Sequence, residues 1–275
     1  MLGLLRDPAA WSVLIAVSAL VLSQVAPLRQ ILRGRHLRVA LPRQFFLWHT
    51  LGNLQVDIVV GIRNTGGRDA YISHIDCYIL DSEGRKWKLS AQSYVPASSA
   101  TSGTPAPELA FSGLAISPDQ FWSQTLRCYE DIDEADQRQL EGIYDKFYSS
   151  GVSDTALPTD GSVPEAPQAV ADEARAYFRR RFMLVRGTYR LVIAAMTQSR
   201  AGVNDVAGTA GCEFIMIESN ITKLRSIVHQ YQYGFGITRV SANPVLGNSL
   251  VSVKPLGADA TTASYRAATH SRHGS

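Results

Sequence analysis

The sequence predicts a mainly β domain with a helical insertion, preceded by one N-terminal transmembrane helix. Residues 8–28 contain no charged side chain, and a helix of that length, at about 1.5 Å per residue, would span the roughly 30 Å hydrocarbon core of a bilayer. From residue 54 onward, apolar side chains alternate with polar ones, the pattern of half-buried strands. Two segments with helical periodicity interrupt the strands between residues 130 and 182.

The apolar segment is interpreted as an uncleaved anchor. A secretory signal peptide has a basic start and a shorter apolar core of about 7 to 15 residues. Here Arg6 is the only basic residue before the segment, and Asp7 offsets its charge. We therefore predict a short tail over residues 1–7 and an anchor over residues 8–28.

Basic residues cluster after the anchor, in an arm that covers residues 29–48. Such residues are retained on the cytoplasmic side of a membrane. We therefore expect an inner (plasma) membrane protein with its N-terminus outside and its C-terminal domain in the cytoplasm; the alternative places that domain in the periplasm or outside the cell. The arginines concerned are Arg29, Arg33, Arg35, Arg38 and Arg43.

The charge distribution argues for lipid and against nucleic acid. Of the 27 Lys+Arg and 24 Asp+Glu residues, residues 1–43 contain six arginines and one aspartate, which leaves 21 basic and 23 acidic residues in the rest. The basic character belongs to the arm, so no nucleic-acid surface is expected on the domain. The predicted partners are the lipid bilayer, through the five arginines of the arm, and an unidentified protein.

A second basic run, Arg179 to Arg181, ends a predicted helix. Positive charge at a helix C-terminus is favoured by the helix dipole, which gives the run a structural explanation. Guanidinium groups also suit phosphate oxygens, so contact with anionic headgroups is the functional alternative. Both explanations stay open, and Arg179, Arg180 and Arg181 join the candidate lipid contacts.

The strand region begins as a meander. Asn64 to Gly67 forms a turn after the first strand, residues 70–80 form a second strand, and Trp87 and Leu89 project from one side of a third. Five alternating apolar side chains mark the buried face of the first strand: Leu54, Val56, Ile58, Val60 and Ile62.

Two stretches carry a resemblance to a known architecture. The pattern VDIVVGIRNTGGRDAYISHIDCYILDSEGRKWKL, within residues 53–92, is similar to bacterial immunoglobulin-like β-sandwich modules. Residues 182–197, FMLVRGTYRLVIAAMT, resemble a late strand of such modules, with Tyr189 at a corner where a tyrosine hydroxyl bonds back to the backbone. The resemblance implies an immunoglobulin-like β-sandwich over residues 49–240, and a binding or scaffolding role.

The remaining segments complete the predicted organisation. The helical insertion covers residues 130–182, and its start is rich in acids that suit helix capping. Two long irregular segments, residues 93–118 and 149–166, are either binding loops or disordered. Residues 241–275 contain few large apolar side chains and are predicted to form a disordered tail.

The three cysteines predict neither disulfides nor a metal site. Cys77, Cys128 and Cys212 are isolated from one another in apolar contexts, which suits buried thiols in a reducing compartment. His74 and Cys77 are three residues apart, but on a strand they would point to opposite faces. We expect no metal and no cofactor.

Two classes of function follow. The first is a non-enzymatic interaction or scaffolding module held at the membrane surface, and it is the one the sequence favours because catalytic motifs are missing from it. The second is a membrane-tethered hydrolase or ligand-gated effector. Its site would be assembled from dispersed residues, namely His49, Asp57, His74, Asp76 and His229. A histidine joined to two carboxylates in one pocket would favour the second class.

Overall fold

The computed structural model describes residues 11–12, 14–23, 34, 36–96, 107–152, 164–198, 204–238 and 247–270. The predicted tail over residues 1–7 lies outside these ranges, as do Arg29, Arg33 and Arg35 and the middles of both long irregular segments.

The domain contains twelve described strands. Their bounds are β1 Leu37–Ala40, β2 Gln44–Thr50, β3 Asn53–Asn64, β4 Ala70–Ile72, β5 His74–Asp81, β6 Lys86–Val95, β7 Leu109–Ala110, β8 Leu114–Ile116, β9 Phe121–Glu130, β10 Gly187–Gln198, β11 Asn204–Met216 and β12 Asn248–Pro255.

Eight of the described strands close into one antiparallel barrel. The ring runs β3, β2, β12, β11, β10, β5, β6, β9 and back to β3, and every neighbouring pair is hydrogen-bonded. Strands β1 and β7 add to the ring at β3 and β6, and β4 pairs with β8 in a separate small sheet. The predicted immunoglobulin-like sandwich is therefore wrong, because a sandwich needs two separate sheets whereas β9 joins β3 to β6 within one continuous wall.

Alternation along the strands fills the barrel interior, as the sequence predicts. The even-numbered side chains of β3 from Leu54 to Ile62 are all buried, while Val59 and Arg63 on the outer face are exposed. Trp87 and Tyr189 are buried in the same core. The Tyr189 hydroxyl donates to the carbonyl of Val185 at 2.9 Å and accepts from the Val185 amide at 3.0 Å, the back-bond expected of it.

Helices close one end of the barrel, where β3 begins. Both predicted helices are present as α1, Glu134–Ser149, and α2, Gln168–Arg181. Asp133 caps α1 by accepting the amide of Asp136 at 2.8 Å, which agrees with the capping role proposed for the acids. A third helix, α3 at Glu218–Ser226, leads into a 3-10 helix at Ile227–Tyr233. Their apolar side chains continue the barrel core.

Residues 247–270 differ from the predicted disordered tail. They form β12, which pairs with both β2 and β11, and α4, Ala258–His270. Helix α4 packs on the outside of the barrel, where Ala268 and Tyr265 cover Tyr78, Val192 and neighbouring side chains. Its buried positions include Thr261, Ser264 and Ala268, small side chains that allow close approach but give little hydrophobic signal. Low hydrophobicity therefore concealed an ordered element.

The predicted anchor over residues 8–28 is described only in part. Residues 14–23 are helical, and residues 8–10, 13 and 24–28 lie outside the described ranges. Within the described residues, no helix is both long and apolar enough to cross a membrane.

Candidate functional site

His49, the first residue of the candidate catalytic set, is a structural histidine. Its Nδ1 accepts the Gly52 amide at 3.1 Å, so the ring proton lies on Nε2, which donates to the Leu224 carbonyl at 2.8 Å. The ring packs against both Phe178 and Phe182, which are stacked on each other. Burial lowers its pKa to about 4. The imidazole is thus neutral and fully bonded, and it ties β2 to α3.

The rest of that set is not brought together. Asp57 lies on the outer face of β3, where Arg127 approaches it at 3.4 Å. Asp76 lies on the outer face of β5 and accepts a hydrogen bond from Tyr78 at 2.9 Å. His74 begins β5, and His229 lies in the 3-10 helix at the closed end. The five residues occupy the interior, two different outer surfaces and an end of the barrel, and form no common pocket.

All three cysteines are buried as free thiols. Cys77 and Cys128 contact each other inside the barrel, and this contact together with burial raises the pKa of the Cys77 thiol. Burial also raises the pKa of Cys212, to about 12. His74 bonds instead to Ser73, whose Oγ is 3.0 Å from Nδ1. In the described chain, no group of three or more His, Cys, Asp or Glu side chains could hold a metal ion.

The arginine run at the end of α2 is engaged in ion pairs. Arg181 bonds to Glu130 at 2.5 Å, to Asp136 at 2.7 Å and to Asn53 at 3.0 Å. Glu130 also accepts the Leu54 amide at 2.7 Å. This network links the end of β9 and the start of β3 to α1 and α2. Burial raises the pKa of Glu130, although the Leu54 amide and Arg181 act in the opposite direction.

The other two arginines of the run are more exposed. Arg180 pairs with Asp136 at 2.5 Å and lies over the ring of Tyr177 at 5.0 Å from its centroid. Arg179 is exposed in the last turn of α2. Lipid contact at Arg179 to Arg181 stays a prediction, and the ion pairs add a structural role for Arg180 and Arg181. Glu130 was not identified as the partner of Arg181 from sequence, because nothing in its local pattern points to a residue 51 positions away.

Two arginines of the arm lie within the described part of the domain. Arg38 is exposed on β1, and Arg43 is exposed just before β2, where its carbonyl accepts the Val253 amide at 2.9 Å. The chain joins the barrel beside them, since the carbonyls of Gly34 and His36 accept the amides of Gly67 and Thr65 at 2.9 and 2.8 Å. The arm therefore enters at the end of the barrel opposite the helices.

The N-terminal helix, residues 14–23, presents its apolar side chains to the surroundings. At about 100° per residue, these positions cover more than half of the helix circumference. Six large apolar side chains are between 52% and 70% exposed: Leu14, Ile15, Val17, Leu20, Val21 and Leu22.

A cleft of about 370 Å³ opens in the barrel wall. It lies where the turn between β1 and β2 faces the middle of β11 and the start of α4, and the residues that border it include Leu41, Thr209, Gly211 and Thr261. None of its lining residues is charged. Gly211 lets α4 approach closely here, because a Cβ at this position would lie 2.9 Å from the Thr261 hydroxyl.

Comparison with known proteins adds little to this geometry. No protein-family model matches the chain, and a search of curated proteins found no significant match. Among solved structures, the chain is similar to a protein from Archaeoglobus fulgidus, at 10% sequence identity and a TM-score of 0.26, over 65% of this chain and 98% of the other. A similarity at that score supports no conclusion about fold or function.

Proposed function

We propose that this protein is a non-enzymatic interaction module that works at a membrane surface, attached there by its apolar N-terminal segment. The observation that carries the proposal is the exposure of the large apolar side chains of residues 14–23. Water does not favour such a surface, and contiguous exposed apolar surface on a soluble protein is usually a contact site.

The energy available from lipid contact is large. Burying one Val, Leu or Ile side chain contributes about 1.5 to 3 kcal/mol, so the six exposed side chains together would contribute on the order of 10 kcal/mol. This free energy of burial would offset the translational and rotational entropy that the protein loses when it associates with the membrane.

The proposed location of the barrel domain is the cytoplasm. The arginines that follow the apolar segment support this side of the membrane through the bias of basic residues toward the cytoplasm. The free thiols also suit a reducing compartment, particularly Cys77 and Cys128, which are in contact. Fusing alkaline phosphatase and a fluorescent protein in turn to the C-terminus tests the location. An active phosphatase with a dark fluorescent protein would place the domain outside.

The outer wall offers a surface for a protein partner. Phe46 on β2 and Leu250 on β12 are directly opposed across the strand pair, and each is 48% exposed. We propose this pair as the partner contact. A photo-crosslinking amino acid at position 46 should give one discrete crosslinked species in cells, and one at the exposed Glu83 should not. Equal or absent crosslinking at both positions would contradict this assignment.

Attachment is tested in the full-length protein by membrane flotation. Leu14→Asp combined with Leu20→Asp should move the protein from the floating fraction to the soluble one, because each buried carboxylate adds about 2.5 to 3.5 kcal/mol to insertion. The matched control, Leu14→Val with Leu20→Val, changes the same positions and should still float. Flotation of the aspartate variant would refute attachment through this segment.

A further inference from the structure

A ridge of two arginines and a phenylalanine lies on the outer wall of the barrel. Strand β1 pairs with the end of β3 so that Arg38 faces Arg63, and Arg63 in turn faces Phe121 on β9. All three side chains are exposed. They stand in one row across three neighbouring strands, and the term basic ridge is used below for Arg38, Arg63 and Phe121.

Within the part of the chain that the structure describes, the two arginines of the basic ridge have no carboxylate partner. Like charges that face each other directly across a strand pair are destabilising. Along the same β3 and β9 strands, Asp57 faces Arg127, and the pair forms an ion pair at 3.4 Å. By contrast, among the described residues no carboxylate oxygen lies within 4.0 Å of the nitrogens of Arg38 or Arg63. An anion from outside the chain would relieve this repulsion.

Phe121 is exposed yet held in place. Its side chain is 61% exposed, and its ring lies on Gly61, where a Cβ would come within 3.0 Å of two ring carbons. Because Gly61 has no side chain, the Phe121 ring can lie directly on the backbone of β3. An aromatic ring presented next to two guanidinium groups matches the headgroup zone of a bilayer, where apolar and charged groups meet.

The basic ridge also lies close to the apolar segment along the chain. Five residues, and thus six steps along the chain, separate Leu28, the predicted end of that segment, from Gly34, which bonds to the barrel beside the ridge. At no more than about 3.6 Å per residue, the chain can reach only about 20 Å between these points. This end of the barrel is therefore held near any membrane that contains the segment.

We propose that the basic ridge is the surface through which the barrel docks on an anionic lipid bilayer, with Arg38 and Arg63 on headgroup phosphates and Phe121 at the boundary with the acyl chains. The inference rests on the proposed membrane attachment and adds an orientation to it. The barrel stands with its helix-covered end away from the membrane, so this orientation excludes contact of Arg179, Arg180 and Arg181 at the end of α2 with the same bilayer.

The test uses full-length protein in nanodiscs and a nitroxide label on Ala40→Cys, an exposed position on β1 beside the ridge. The native cysteines are buried, so only the introduced thiol should react. A second preparation carries the label at Glu83→Cys, in the exposed turn between β5 and β6 at the opposite end. Access of a water-soluble paramagnetic reagent to each label is compared in anionic and neutral lipid.

We expect the label at position 40 to be protected from the paramagnetic reagent in anionic nanodiscs. The label at position 83 should stay accessible to the reagent in both anionic and neutral nanodiscs. Each arginine near an anionic surface is worth about 1 kcal/mol, or about fivefold, so Arg38→Gln with Arg63→Gln should shift the docking equilibrium about 30-fold toward the undocked state. The control, Arg138→Gln with Arg190→Gln, removes the same charge from other exposed surfaces and should leave the protection unchanged.

The outcomes separate this inference from the proposed function. Protein that remains in the nanodisc while position 40 is equally accessible in anionic and neutral lipid would overturn docking and leave attachment standing. Equal loss of protection in the Arg38/Arg63 and control variants would also overturn it. Protein that fails to associate with nanodiscs at all would overturn the attachment itself.

Discussion

Replacing Arg181 with methionine should destabilise the domain strongly, because this guanidinium joins four separate elements. Its side chain is only 16% exposed, and those of Glu130 and Asp136 are 10% and 16% exposed. Methionine keeps an unbranched apolar stem but removes the guanidinium bonds to Glu130, Asp136 and Asn53. Among the described residues, Glu130 then keeps only the Leu54 amide as a partner.

The expected loss follows from the burial of the partners. Removing one member of a buried ion pair typically costs about 3 to 5 kcal/mol, since the other charge stays buried without compensation. In a domain of this size, about 1 kcal/mol corresponds to roughly 2 to 4 °C in melting temperature. Arg181→Met should therefore lower the midpoint of thermal unfolding, followed by circular dichroism, by about 6 to 20 °C.

Arg180 provides the matched control. It pairs with the same Asp136 but is 52% exposed, and exposed ion pairs contribute at most about 1 kcal/mol. Arg180→Gln should thus lower the midpoint by no more than about 4 °C. Adding Glu130→Gln to Arg181→Met should recover part of the loss, because the uncompensated charge is gone. Equal losses for both arginine variants, or no recovery in the double variant, would refute the reasoning.

Three further predictions concern the core. The pKa of His49 is lowered to about 4, so between about pH 6.5 and 4 the unfolded chain binds a proton that the folded chain does not. The free energy of unfolding should therefore fall by about 3 kcal/mol as the pH is lowered through that range. Urea unfolding at several pH values should show a smaller fall in His49→Gln than in wild type, and an equal fall in both would contradict the prediction. Trp87→Ala should cost about 3 to 5 kcal/mol by truncating a buried aromatic, and a melting temperature within a few degrees of wild type would contradict its placement in the core. A thiol reagent should leave Cys77, Cys128 and Cys212 unmodified in the native protein and modify all three in denaturant, because they are buried; rapid reaction of the native protein would show that the barrel interior is accessible.

Local pattern was sufficient to identify many elements. The alternation from Leu54 to Ile62 predicted a strand with one buried face, and the helical spacing in α1 and α2 predicted both helices. Each of these signals arises within a single segment, from side chains that must share one face.

The way the strands join could not be deduced in the same manner. A sandwich and a closed barrel both require alternating strands, so the pattern of β3 or β10 is the same in either. What distinguishes them is the pairing of β9 with both β3 and β6, and of β12 with both β2 and β11. Pairings between distant segments leave no periodic trace in a single sequence.

The basic ridge, likewise, could not be predicted from local sequence pattern. Arg38 lies in the basic arm and Arg63 lies in an alternating strand, and nothing in either segment indicates that the two face each other. Nothing in the sequence marks Phe121 as an exposed residue, because an apolar residue at the start of a strand is normally expected in a core. Only the register of β1, β3 and β9 brings the three together.

The joining of β2 to β12 has a consequence for biosynthesis. The side chains of Gln44 and Ser252 meet across this joint although they are 208 positions apart in the chain. During translation at about 5 to 20 residues per second, β2 would wait on the order of ten seconds or more for its partner strand to be made. Throughout that interval the ring is open and the edge of β2 is unpaired, a state that favours aggregation. A chain truncated before residue 248 would lack β12 and could not close the ring, because β12 is the strand that joins β2 to β11.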